Sequence, residues 1–247
     1  MIKYIFPFRC VLCGIGVSSL GFCQGCWVQT EFISSPLCSV CGDPLEYWAK
    51  DALCNVCYAF PSPLVLHRSV WKYGASIKQL IFKFKHSHQI WLTEFFGHQM
   101  LRLLLEYCAQ TTLIIPVPLH RKRLIQRGFN QALLLARWLS QHTGIPCDYT
   151  SLKRVKDTDS QGSKTASERY LNVEGAFQYT PQPFHFSEKV LLIDDVYTTG
   201  ATLKACTNAL KEKKVTTVWG ITLSKVVIKE DRHLNSQIVM NHGGNKI

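Results

Sequence analysis

Eight of the eleven cysteines fall before residue 58, as four C-x-x-C pairs: Cys10/Cys13, Cys23/Cys26, Cys38/Cys41 and Cys54/Cys57. Any fold of this segment has to gather those thiols. Two intervening residues turn both sulfurs of a tight turn toward one point, and tetrahedral Zn²⁺ takes two such turns. The first and third pairs run into glycine (CVLCG, CSVCG), the second and fourth into an aromatic (CQGCW, CNVCY). That is a duplicated unit: a Gly-closed turn, a short excursion, then a turn with an aromatic to pack beside the metal. Pairing in chain order predicts one Zn²⁺ on Cys10, Cys13, Cys23 and Cys26 and another on Cys38, Cys41, Cys54 and Cys57. Spacing alone also admits a crossed arrangement, first pair with third. A redox dithiol needs only one C-x-x-C and leaves the other pairs unexplained. All-sulfur sites keep no open coordination position, so the predicted role is structural. Cys108, Cys147 and Cys206 stand singly in apolar surroundings and read as small core residues.

The metal reading depends on a reducing compartment. The start, MIKYIFPFRC, has one lysine and a very short apolar run, unlike a signal peptide. The most apolar stretch, Leu101 to Pro118, is interrupted by Arg102, Glu106 and Gln110, too soon for a bilayer span. A cytoplasmic location is therefore expected, where metal binding outcompetes disulfides. At 247 residues and 47% hydrophobic, the chain can bury one sizeable core and carry a smaller module. Its net charge of +11 is clustered, which points to a polyanionic partner rather than to a merely solvated surface.

The segment YAFPSPL, Tyr58 to Leu64, carries two prolines and reads as a linker. The predicted division is a double zinc-ribbon module over 1–60, an α/β domain over 64–229, and a polar, frayed tail over 230–247. Apolar strand-like runs (Leu64–Tyr73, Thr111–Val117, Lys189–Ile193, Thr216–Leu223) alternate with helical periodicity. Ile77, Leu80, Ile81 and Phe84 share one helical face, and Leu203, Cys206, Thr207 and Leu210 repeat the spacing. Such alternation implies a largely parallel sheet flanked by helices.

Ligands of such folds sit beyond the carboxyl ends of strands. Between an apolar strand over Lys189–Ile193 and an amphipathic helix over Ala201–Lys213 lies Asp194-Asp195-Val196-Tyr197-Thr198-Thr199-Gly200. A helix start offers free N–H groups and a favourable dipole for phosphate. Thr198, Thr199 and Thr202 add hydroxyl donors, and Gly200 lets the backbone approach closely. Two carboxylates beside a phosphate pocket repel the phosphate unless something separates them. A sugar diol does, because its hydroxyls donate to groups that only accept. A phosphorylated ribose satisfies both ends. An ordinary strand–turn–helix with a Thr N-cap needs one aspartate and one threonine, fewer than stand here.

LLIDDVYTTGAT resembles the phosphoribosyl-pyrophosphate (PRPP) motif of type I phosphoribosyltransferases. Four C-x-x-C pairs, VPLHRKRLIQRGFNQA (117–132), SERYLNVEGAF (167–177) and this motif, in that order, resemble the ComF/GntX family over residues 10 to about 225. The resemblance implies a type I phosphoribosyltransferase-like fold and a role in DNA uptake during natural transformation. It implies that Asp194 and Asp195 hold the ribose hydroxyls, and that the loop from Val196 through Tyr197, Thr198, Thr199, Gly200 and Ala201 to Thr202 holds the 5′-phosphate. It implies further that Pro118, Leu119, His120, Arg121 and Lys122 face the pyrophosphate, with Mg²⁺ on the phosphate oxygens. The family's usual T-P-x-Q segment stands here as Thr158-Asp159-Ser160-Gln161, without its proline.

Three basic clusters remain: Lys72–His88, His120–Arg127 and Lys153–Lys156. On the first helix, Phe82 falls off the apolar stripe, among Lys78, Lys83 and Lys85. An aromatic among lysines suits single-stranded DNA, which needs phosphate neutralised and a base stacked. The alternative is that Phe82 packs on the zinc module and the lysines form a solvated face. Three function classes follow. One is a competence protein that handles imported single-stranded DNA, with a PRPP site partly distinct from the DNA surface and other competence proteins as partners. The second is an orthodox phosphoribosyltransferase acting on an unidentified acceptor, for which no residue announces a base-specific pocket or a catalytic group. The third is an adaptor with a vestigial nucleotide fold, which the intact acidic pair and threonine loop argue against.

Overall fold

The computed structural model describes residues 8–86, 89–156, 173–182 and 186–227. Thr158–Gln161, the 167–172 part of SERYLNVEGAF, His88 and the tail 230–247 lie outside the described residues. Four parallel strands form the central sheet in the order β1-β6-β5-β2: β1 Leu66–Lys72, β2 Leu113–Pro116, β5 Lys189–Tyr197 and β6 Thr217–Lys225. Between them in the chain run α3 Ala75–His86, α4 Leu92–Tyr107, α5 Arg121–Arg127, α6 Gln131–Thr143 and α7 Ala201–Lys211. Two short helices, α1 Gln24–Val28 and α2 Asn55–Ala59, belong to the cysteine-rich segment. The expected α/β class with a parallel sheet is what the chain forms.

Strand alternation splits the core in two. Leu191 and Ile193 of β5 face a cluster with α3, α4 and α6, while Val190 and Leu192 face a second with α7. The helical stripes land as read: Ile77, Leu80, Ile81 and Phe84 are buried in α3, and Leu203, Cys206, Thr207 and Leu210 in α7. Cys108 and Cys206 are buried core residues, and Cys147 packs against the first cluster. An antiparallel pair, β3 Leu152–Arg154 with β4 Phe177–Tyr179, was not foreseen. Its three-residue strands are too short to show alternation.

Both ribbons attach to β1. Ile33 N–H donates to Val70 C=O at 2.9 Å, Lys72 N–H to Glu31 C=O at 2.8 Å, and His67 N–H to Val40 C=O at 2.6 Å. This covers the edge strand, whose free N–H and C=O groups would otherwise invite pairing with another chain. The first ribbon also sends Phe22 onto Phe95 and Trp71, at ring separations of 5.2 and 6.3 Å. The second buries Cys38, Cys41 and Cys57 in the α7-side cluster.

Candidate functional site

The thiols gather in chain order: Cys10, Cys13, Cys23 and Cys26 in one group and Cys38, Cys41, Cys54 and Cys57 in another, the four Sγ atoms of each within 4.8 Å of one another. The crossed pairing is thereby excluded. A zinc tetrahedron with bonds of about 2.3 Å has sulfur–sulfur edges of about 3.8 Å. Cys13 Sγ and Cys23 Sγ stand 3.7 Å apart, and Cys41 Sγ and Cys54 Sγ 3.6 Å. Both groups therefore fit Zn²⁺. Burial raises the Cys10 thiol, but N–H groups of Cys13, Cys23 and Leu12 outweigh it and bring it down to about 6, favouring the thiolate a metal needs.

The acidic pair lies inside β5, not after it. The strand runs past Ile193 because β6 continues alongside: Asp194 sits opposite Thr222 and Val196 opposite Ser224. Successive strand residues point to opposite faces, so the two carboxylates have different neighbours. Asp195 Oδ1 receives the Lys85 ammonium of α3 at 2.8 Å. Asp194 Oδ1 accepts the Asp195 backbone N–H at 2.8 Å. Withdrawal from water and then the adjacent Asp195 charge push the Asp194 carboxyl up to about 7, against a pull from Lys85 and Arg154.

After Tyr197 the chain turns through Thr198 and Thr199 to Gly200, the N-cap of α7 at φ +78°. A side chain there would be strained by the left-handed backbone, and its Cβ would collide with Tyr197 Oη. Thr199 Oγ1 accepts from Ala201 N–H at 3.4 Å, while Thr198 and Thr202 are half-buried beside it. The loop after β2 is brought alongside, since Val117 N–H donates to Ile193 C=O at 2.9 Å and Asn130 Nδ2 holds Val117 C=O at 3.0 Å. Pro118, Leu119 and His120 are half-buried there, and Arg121 and Lys122 are exposed at the start of α5. His120 caps that helix by accepting Lys122 N–H at 3.4 Å.

The basic helix is arranged differently from its reading as a separate surface. Lys85 faces the acidic pair, and Lys83 Nζ donates to Leu12 C=O of the first ribbon at 3.0 Å. Lys78 is exposed, and Phe82 is 60% exposed rather than packed on the zinc module. Phe82 lies against His86 at a ring separation of 4.7 Å. Tyr73, Lys78, Phe82, Lys85, His86 and Arg127 are among the residues lining a groove of about 540 Å³. Burial, then Arg127 and Lys85, hold His86 below its ordinary value, which favours the uncharged ring among these cations. Arg127, Arg154, His67 and Lys225 are site neighbours that sequence reasoning did not single out. The first two hid inside basic clusters, His67 sits in an apolar strand run, and Lys225 lies just past another.

A family model described as a double zinc ribbon domain matches residues 1–58. Competence protein F of Haemophilus influenzae is 33% identical over 87% of this chain and 97% of its own length. Competence protein ComFC of Bacillus subtilis is 31% identical, covering 81% of this chain and 82% of its own. DNA utilization protein YhgH of Salmonella typhimurium is 28% identical over 86% and 94%. Among solved structures, a hypoxanthine phosphoribosyltransferase from Staphylococcus aureus aligns with a TM-score of 0.32 at 18% identity, over 57% of this chain and 65% of that one. Among the described residues, no helix is long and apolar enough to cross a membrane. With two four-cysteine zinc ribbons ahead of a parallel α/β sheet, and relatives matched along nearly their full length, the chain belongs to the competence protein F (ComF) family.

Proposed function

We propose that this protein handles single-stranded DNA in the cytoplasm during natural transformation, and binds a 5′-phosphorylated ribose, PRPP with Mg²⁺, at the end of β5. The observation that carries the reading is the juxtaposition at that strand end. Two carboxylates, a threonine loop and a glycine-opened helix start lie next to one another, with the loop after β2 alongside. Asp194 and Asp195 accept the ribose hydroxyls, and the residues from Val196 to Thr202 take the 5′-phosphate. Pro118 to Lys122 face the pyrophosphate, whose oxygens share Mg²⁺. The names of the relatives, two competence proteins and a DNA utilization protein, support the DNA half of the reading.

The groove beside Asp195 gives that half a location. A base stacks on Phe82 while Lys78 and Arg127 meet phosphates. Lys85 serves both halves, because its ammonium lines the groove and pairs with Asp195. Lys83 supports the surface from its seat on the first ribbon. The reading includes a division into a ribbon module over 1–60 and a ligand-binding domain over 64–229, and other competence proteins as partners.

Two titrations test it. Calorimetry with PRPP and Mg²⁺ should show binding that Asp194→Ala with Asp195→Ala abolishes; equal affinities would overturn the phosphoribosyl assignment. Anisotropy of a labelled oligonucleotide across a salt series should lose about 0.7 log unit of slope per contact removed in Lys78→Ala. Phe82→Ala should cost about 1–3 kcal/mol at unchanged slope. Binding indifferent to both changes would make the groove a solvated face.

A further inference from the structure

The phosphate loop is braced from behind by the second zinc turn. Tyr197, where β5 ends and the loop begins, is 7% exposed, and its ring stacks on His67 at 4.0 Å. His67 is buried in β1, and both ring nitrogens are engaged: Nδ1 with Cys41 C=O at 3.1 Å and Nε2 with Thr222 Oγ1 at 3.0 Å. The Lys225 ammonium lies over the Tyr197 ring, 4.3 Å from its centre, and pairs with Asp43 Oδ1 at 3.2 Å. Cys41 is a zinc ligand and Asp43 follows two residues later, closing the same turn by accepting Cys38 N–H at 2.8 Å. Gly42 between them packs so closely on His67 that an added Cβ would lie 2.7 Å from its carbonyl oxygen.

The chemistry favours a rigid brace. The Lys225 side chain is only 5% exposed, and a buried ammonium is tolerated only where an anion and polar or π partners compensate it. Its compensation is split between the zinc turn and the loop's first residue. If the turn opens, Lys225 loses its carboxylate and must move toward water, and Tyr197 loses both the cation over its ring and an anchored His67. Among the described residues, the first ribbon's hydrogen bond to the sheet-flanking helices is Lys83 to Leu12 C=O, on the α3 side and away from the loop.

We infer that Tyr197, His67, Lys225 and Asp43 form a positioning unit through which zinc at the second ribbon, and not at the first, holds the phosphate loop in its binding geometry. The inference rests on the phosphoribosyl reading only for what the loop binds; the brace itself is a property of the ligand-free chain.

The test reads both. Hydrogen exchange of the 197–202 backbone is followed by mass spectrometry in the full, zinc-loaded chain without ligand, and affinity for ribose 5-phosphate is measured in parallel. Asp43→Asn leaves all eight thiols in place, so elemental analysis should still find the wild-type zinc content while loop exchange rises about tenfold. Cys54→Ser should lower the zinc content and raise the same exchange; Cys23→Ser should lower the zinc content and leave it unchanged. Tyr197→Leu, which removes the stacked ring, should raise the loop exchange and lower the affinity for ribose 5-phosphate about tenfold or more. Loop exchange unchanged in Asp43→Asn, or raised equally by Cys23→Ser, overturns the brace. Raised exchange in a protein whose wild type binds no ribose phosphate upholds the brace and removes the phosphoribosyl reading.

Discussion

The two ribbons share one sequence pattern and have different surroundings. The first leaves Cys13 exposed and Cys23 half-buried, and meets the first core cluster through Val11 and Phe22 and helix α3 through the Lys83 contact. The second has Cys38 at 0% exposure, and its turn touches β1 and β6 through His67 and Lys225, which in turn hold the Tyr197 ring. The contrast continues into the site. Asp195 looks to α3 and Lys85, on the first ribbon's side of the sheet, and Asp194 looks to the α7 side, near Cys206, whose thiol is pushed up by burial and then by Asp194. Duplication of a metal motif therefore does not duplicate its job. What a ribbon does is decided by the strand face it covers.

The largest expected effect separates the ribbons by stability. Cys38→Ser should cost about 3–5 kcal/mol, because a fully buried ligand and its metal are lost from the core. Cys13→Ser, at an exposed corner, should cost roughly half that or less. Urea unfolding of both variants checks the difference, and equal losses would mean that the ribbons are interchangeable supports.

A smaller effect separates the carboxylates by pH. The Asp194 carboxyl is raised from 3.8 to about 7. Between those values the folded chain holds a proton that the unfolded chain releases. Its contribution to stability is complete below about pH 4 and is lost as pH rises through about 7. Asp194→Asn, permanently neutral, should therefore gain steadily on the wild type between about pH 4 and pH 7 and keep that gain above it. A stability difference independent of pH across that window would show that Asp194 is ionised throughout.

Much of this was legible in the chain. Four regular C-x-x-C pairs state their metal, since no other common role for cysteine needs that count and spacing. The stripes of α3 and α7 are readable because burial repeats at the helical period. The continuation of β5 through Asp194 and Asp195 was not, because two carboxylates look like a loop until a neighbouring strand is known to satisfy their backbone. Nor was the fate of Lys85. A lysine two turns from Lys78 on a basic helix looks solvated, and only the fold brings it to a carboxylate 110 residues away. His67 and Lys225 were invisible for the same reason: their partners are long-range.

The most direct test of the account compares ribose 5-phosphate with 2-deoxyribose 5-phosphate by calorimetry on the wild-type chain. The acidic pair is assigned to a diol, and removing one hydroxyl deletes a hydrogen bond to a charged acceptor, worth about 1.5–3 kcal/mol. The ribose compound should bind at least about tenfold more tightly, and Asp194→Ala with Asp195→Ala should erase the preference. Equal affinity of the wild type for the two sugars would contradict the claim that these carboxylates recognise a ribose.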